Sequence, residues 1–307
     1  MADTKEIIWI AGGDGLVGRR LMEMIDCSKY QIFILSRSVK KSPIPEVNYI
    51  VWNTTAQTIN TSVSPDHIIN LAGAGIADQR WTNSRKKELV DSRVNSAKTI
   101  KRYITETQVK PKTYVSSSAV GYYGDRGSEI LSESSPPGNE FLAECCVQWE
   151  AAAKATGIMA ARSVILRIGI VLSTKGGALP KMLMSKSFGV FNYFGLGDQY
   201  HPWIHIDDLC RLFITTITDP TYTGIYNAVS PQQITNRQMM AKIMAHNQLK
   251  GILLPAPKLA LQMVLGDMSK VVLNSNRIGS SRLQEEGFIF EHTDVGQAVQ
   301  NLLAKKI

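Results

Sequence analysis

The chain has 307 residues, 44% hydrophobic and 20% charged, with 34 basic and 26 acidic residues giving a formal net charge of +8. This composition excludes a disordered or low-complexity chain and is enough for one large domain or two with a substantial core. No apolar run reaches the ~18 residues that a membrane span needs, and the basic residues are scattered without interleaved aromatics, which argues against a membrane protein or a nucleic-acid face. The N-terminus lacks a basic-apolar-small leader pattern, so a cytoplasmic location is expected. Cys27, Cys145, Cys146 and Cys210 have no metal-ligand spacing, and the adjacent pair cannot bridge without strain; reduced thiols and no metal are expected.

The first motif is the strongest. An apolar run, Ile7 to Ala11, meets Gly12-Gly13-Asp14-Gly15-Leu16-Val17-Gly18, and apolar residues at helical spacing follow through Leu21, Met22 and Ile25. A strand, a tight turn and a helix in that order form a pyrophosphate site. Gly12 and Gly15 let the backbone approach the phosphates, Gly18 lets helix and strand pack closely, and the helix N-terminus supplies amides and a positive dipole end. The second strand, Gln31 to Leu35, ends at Ser36-Arg37-Ser38. A carboxylate here would accept the ribose 2′-hydroxyl of NAD; a guanidinium flanked by hydroxyls suits the 2′-phosphate of NADP(H).

A third strand, Asn48 to Trp52, and a fourth, His67 to Leu71, follow; the fourth runs into Leu71-Ala72-Gly73, small residues against which a cofactor can lie. A long helix from Thr82 to Thr105 starts at the crevice mouth and carries Glu88 and Arg93, and with Trp52 these extend the expected cofactor contacts. The fifth strand, Thr113 to Ser118, places Ser116, Ser117 and Ser118 before the loop Ala119 to Asp125, where a nicotinamide ring and a substrate would meet. A helix from Glu140 to Ala155 and a strand from Ser163 to Ile170 come next, then an aperiodic stretch to His201 expected to form a substrate-side lobe. Asp207 is placed to cap a helix through Ile217, Gly224 to Val229 reads as a strand, and Thr235 caps a further helix. Pro255 and Pro257 introduce a helix through Met268, and two short helices close the chain. The expected fold class is α/β: a doubly wound parallel sheet of Rossmann type over residues 1–170, with a smaller C-terminal lobe over 171–307.

Together the glycine loop, Asn70-Leu71-Ala72-Gly73, the serine-rich strand and Trp203-Ile204-His205-Ile206-Asp207-Asp208-Leu209 resemble an extended short-chain dehydrogenase/reductase of the NAD(P)-dependent epimerase/dehydratase group. Arg80-Trp81-Thr82, Asp91-Ser92-Arg93-Val94, Gly176-Gly177-Ala178-Leu179-Pro180 and Leu254-Pro255-Ala256-Pro257 are similar to an atypical subgroup, the epimerase family proteins with a C-terminal segment of unknown function. Asp14 departs from that subgroup's usual threonine. The resemblance implies a nicotinamide-contacting edge at Gly169-Ile170, a small-molecule substrate such as a nucleotide-linked sugar, and a homodimer. Active members of the wider group use Ser with Tyr-x-x-x-Lys, yet none of the ten tyrosines here has lysine four residues later. The resemblance implies that Ser118 is retained, that Cys146 stands in the lysine position and that Arg93 replaces a familiar asparagine. Tyr122, Tyr123 or a Cys146 thiolate of depressed pKa are the candidates for proton transfer. Two functions follow: an NADP(H)-dependent oxidoreductase or epimerase with an unconventional acid/base group, or a catalytically silent NADPH-binding sensor.

Overall fold

The computed structural model describes residues 5–304 apart from 39, 41, 43 and 247–249. The N-terminal half runs β1 (Glu6–Ala11), α1 (Leu16–Met24), β2 (Tyr30–Ser36), β3 (Val47–Asn53), β4 (Thr58–Ile59), β5 (His67–Asn70), α2 (Asn83–Thr107), β6 (Thr113–Ala119), β7 (Ile130–Leu131), α3 (Phe141–Gly157), β8 (Arg162–Ile168) and β9 (Ile170–Leu172). The remainder runs α4 (Ala178–Met182), β10 (Val190–Phe194), β11 (Trp203–His205), α5 (Ile206–Thr218), β12 (Gly224–Ala228), α6 (Asn236–His246), β13 (Ile252–Ala256), α7 (Lys258–Leu265), α8 (Lys270–Leu273), β14 (Arg277–Ile278), α9 (Ser281–Glu285) and α10 (Val295–Ala304).

Eight strands form one sheet in the order β12-β8-β6-β5-β1-β2-β3-β4, parallel except for the last pair. Side chains of β1 alternate between its faces: Ile8 and Ile10 join one core cluster, Trp9 and Ala11 the other. Burial on both sides explains why β1 reads as an unbroken apolar run. The chain leaves β1 toward β2 on one side while β5 lies on the other, so the crevice at their C-terminal ends is the switch point where doubly wound sheets bind ligands.

Three local departures from the sequence reading have physical causes. The expected strand through Ile170 breaks at Gly169, where a Cβ would lie 2.7 Å from the Pro202 carbonyl oxygen. The chain then shifts, and β9 pairs with β11 while β8 stays in the main sheet. Asp207 does not cap α5: the cap is His205, whose Nδ1 accepts the Asp207 amide at 3.0 Å. Pro255 lies in β13, in a two-stranded sheet with β10 where an edge tolerates proline, and the helix that follows stops at Leu265. Thr235 does cap α6 as expected, exchanging bonds with Gln238 in a capping box.

Candidate functional site

The glycine corner sits at the switch point. Gly12 has φ +80°, and a Cβ on it would lie 2.8 Å from the Leu71 carbonyl, so the turns leaving β1 and β5 touch backbone to backbone. A Cβ on Gly18 would lie 2.6 Å from Gly13, which fixes how closely α1 returns to the loop. Gly15 caps α1 without a side-chain bond, leaving the first-turn amides of α1 directed at the crevice. Behind the other wall, Asn70 is tied to Ser96 at 3.1 Å and Tyr114 at 3.3 Å and receives the Ala72 amide at 3.2 Å, so the Leu71–Gly73 turn is held rigidly.

Arg37 and Ser38, just past the end of β2, are exposed, and Asp14 of the glycine loop is half-buried. The Asp14 carboxylate receives the Lys40 ammonium and, at 3.1 Å, the Tyr49 hydroxyl, and Arg19 Nε reaches the Asp14 carbonyl at 2.8 Å. Burial works against ionisation of Asp14, but Lys40 and Tyr49 outweigh it and hold the carboxyl below its usual range. Tyr49 and Arg19 carry no sequence signal for this site, and Lys40 reads from sequence only as part of the short basic cluster Lys40-Lys41. A cavity of about 670 Å³ opens beside this corner, between Asp14, Leu16 and Arg19 on one wall and Ser173, Gly176 and Asp207 on the other.

Other expected contacts are placed differently. Trp52 is buried, in a core cluster with Leu35 and Ile59. Glu88 is exposed and paired with Arg85 at 2.7 Å. Arg93 is largely enclosed beneath the Gly73 turn: it donates to Leu89 O at 2.8 Å and Ala74 O at 3.1 Å and lies 5.0 Å over the Trp149 ring. It braces the cofactor wall from behind, and desolvation lowers its pKa.

The three serines, expected to offer hydroxyls to the crevice, turn them inward. Ser116 donates to its neighbour's carbonyl at 3.0 Å, and Ser117 to Asn70 O at 3.0 Å. Ser118, 2% exposed, donates to Glu150 Oε1 at 2.8 Å. Glu150 receives Arg167 through Nε at 2.8 Å and Nη2 at 2.9 Å, a two-pronged pair sealed from solvent. Arg167 Nη1 continues to the Tyr123 hydroxyl at 2.9 Å, which donates to Asn227 Oδ1 at 2.6 Å, and the guanidinium lies 3.5 Å from the Tyr122 ring centroid. Ser118 and Tyr123 therefore belong to one buried polar network, against whose guanidinium the half-buried Tyr122 ring lies.

Leu142 and Cys146 stand one turn apart on the face of α3 that meets the Val120–Tyr123 turn: a Cβ on Gly121 would lie 3.4 Å from Leu142 and 4.0 Å from Cys146 Sγ. The thiolate expectation is corrected by burial, which pushes the Cys146 thiol up to about 12, the opposite of activation. Burial likewise pushes the Tyr123 phenol up to about 12, so neither group is a ready base near neutral pH.

Among the described residues, the groups that could hold a metal converge at His205, Asp207 and His292, with ligand atoms within 4.8 Å of one another. His205 Nδ1 is used in the helix cap, which leaves the proton of the neutral ring on Nε2, and Asp207 receives Arg20 Nε at 2.6 Å. Within the trio His205 serves as the helix cap and Asp207 as an ion-pair partner, and the His292 ring centroid lies 3.7 Å from that of His205. A second cavity, about 430 Å³, lies between Lys258, Gln262 and Lys270 of the C-terminal segment and Asp125 and Glu140. No helix among the described residues is long and apolar enough to cross a membrane.

Comparison with known proteins places this architecture. Residues 8–228 match the NAD dependent epimerase/dehydratase family, and residues 256–302 match a domain of unknown function, DUF1731. An epimerase family protein of Staphylococcus saprophyticus is 33% identical over 297 residues, 96% of this chain and 98% of its own. The chloroplastic SDR39U1 homolog of Arabidopsis thaliana, also an epimerase family protein, is 31% identical over 98% of this chain and 88% of its own. The crystal structure of the human epimerase family protein SDR39U1 with NADPH superposes with a TM-score of 0.87 at 27% identity, covering 98% of this chain and 100% of that one. The chain belongs to the NAD dependent epimerase/dehydratase family and, by its relatives and its C-terminal domain, to the epimerase family proteins within it.

Proposed function

We propose that this chain binds NADP(H), with the diphosphate on the Gly12–Gly18 corner and the N-terminus of α1, and the 2′-phosphate at Arg37. The observation that carries the reading is an exposed arginine just past the end of β2, the strand paired with β1, together with a glycine corner whose helix amides are uncapped. The NADPH in the human relative's crystal structure supports the same choice. Arg37→Asp is expected to abolish or reverse a preference for NADPH over NADH, measured by titration of purified protein. An unchanged preference would remove Arg37 from the pocket.

Three observations favour a role in which the bound coenzyme is sensed without turnover: no tyrosine has a lysine four residues later, the Cys146 thiol is buried with its pKa raised, and Ser118 is committed to Glu150. The enzyme reading, an oxidoreductase or nucleoside-diphosphate-sugar epimerase, rests on Ser118 and on the cavity below the lobe, and it requires Ser118 to exchange Glu150 for substrate. Following NADPH absorbance against carbonyl compounds and nucleotide sugars separates the two. The sensor reading predicts no turnover with any of them; turnover that disappears in Ser118→Ala but survives in Cys146→Ala would establish the enzyme.

A further inference from the structure

The gap between the tip of β2 and the glycine loop already contains an anion, the Asp14 carboxylate. The carboxylate reaches across that gap to Lys40, is anchored by the Tyr49 hydroxyl at 3.1 Å from β3, and has its backbone carbonyl held by Arg19 at 2.8 Å. Its side chain is 35% exposed and that of Lys40 47%, so the pair lies at the mouth of the corner and can exchange partners with a ligand in solution. Arg37, three residues earlier in the chain than Lys40, is exposed as well. Two cations, Arg19 and Lys40, therefore meet Asp14 at this opening. A phosphate entering it is attracted by Arg37 and Lys40 and repelled by Asp14, the group that holds Lys40 in place.

We infer that Asp14 is an internal counter-anion of the 2′-phosphate pocket: it holds Lys40 across the mouth while the pocket is empty and releases it to the cofactor's phosphate. Asp14 and Lys40 then set both the affinity for NADPH and its margin over NADH. The inference rests on the NADP(H) reading above and adds to it a specificity device on the glycine loop. Because the carboxylate competes with the ligand for the same ammonium, removing its charge strengthens binding of the phosphorylated cofactor; a purely structural Asp14 would weaken it. Asparagine keeps the acceptor for Tyr49, so Asp14→Asn changes charge and little else.

The test is titration of the wild-type protein, Asp14→Asn and Lys40→Met with NADPH and NADH, and with adenosine 2′,5′-bisphosphate against ADP to isolate the 2′-phosphate. Asp14→Asn is expected to tighten NADPH and the bisphosphate by about fivefold and to leave NADH and ADP unchanged. Lys40→Met is expected to weaken the two 2′-phosphorylated ligands by about tenfold and to leave the others unchanged. The inference is overturned if Asp14→Asn leaves the NADPH to NADH ratio unchanged or lowers it, or if Lys40→Met weakens all four ligands alike. A wild-type protein that binds NADH as tightly as NADPH would instead defeat the cofactor reading and this inference with it.

Discussion

Glu150→Ala is expected to lower the unfolding free energy by about 3–5 kcal/mol, measured by urea denaturation. The carboxylate accepts two bonds from Arg167 and one from Ser118, and both charged groups are sealed between α3 and the sheet. Truncating it leaves a guanidinium in the interior without a counter-charge and a serine hydroxyl without its acceptor, which is the costly way to break a buried pair. Replacing both partners, Glu150→Leu with Arg167→Met, removes the stranded charge, so the double variant is expected to be more stable than the sum of the single losses implies. Strict additivity would mean that the two groups are not coupled. The same network bears on function, since any route that recruits Ser118 must loosen it.

Gly12→Ala is expected to cost about 1–3 kcal/mol of stability and to weaken NADPH binding by about tenfold. At φ +80° an alanine is strained, and its methyl would lie 2.8 Å from the Leu71 carbonyl carbon and oxygen. That carbonyl cannot retreat freely, because the Leu71 amide is bonded to Ala11 O at 2.8 Å. The loop shifts, and the helix amides move away from the diphosphate. Gly15→Ala provides the contrast: Gly15 is extended at φ −75°, and a Cβ there meets only the Gly12 oxygen at 3.2 Å. It should fold almost normally and lose cofactor binding by obstruction. Equal stability losses in the two variants would contradict the close-approach account of Gly12.

The glycine corner was legible in sequence because everything that makes it is local: an apolar strand, a turn that requires glycine, and a helix starting within a few residues. The absence of a Tyr-x-x-x-Lys pair was legible for a related reason, since it needs only residues one helical turn apart. The serine hydroxyls were not. Their direction depends on the register that sets Ser118 against Arg167 and on Glu150, 32 residues further along, neither of which has a local signal. Lys40 reads from sequence as part of a solvated basic cluster and Tyr49 as a strand residue, because their partner is a loop aspartate brought near by tertiary packing, at separations of 26 and 35 residues. The signal that could have found them was Asp14 itself: a carboxylate on a phosphate loop needs neighbouring cations. The His205 cap was hidden by the more familiar aspartate two positions on.

Titrating the purified wild-type protein with NADPH and NADH under the same salt conditions tests the central claim most directly. The account predicts saturable binding of NADPH at least about tenfold tighter than of NADH, as a guanidinium paired with a 2′-phosphate should give. Equal affinities, or tighter binding of NADH, would contradict it.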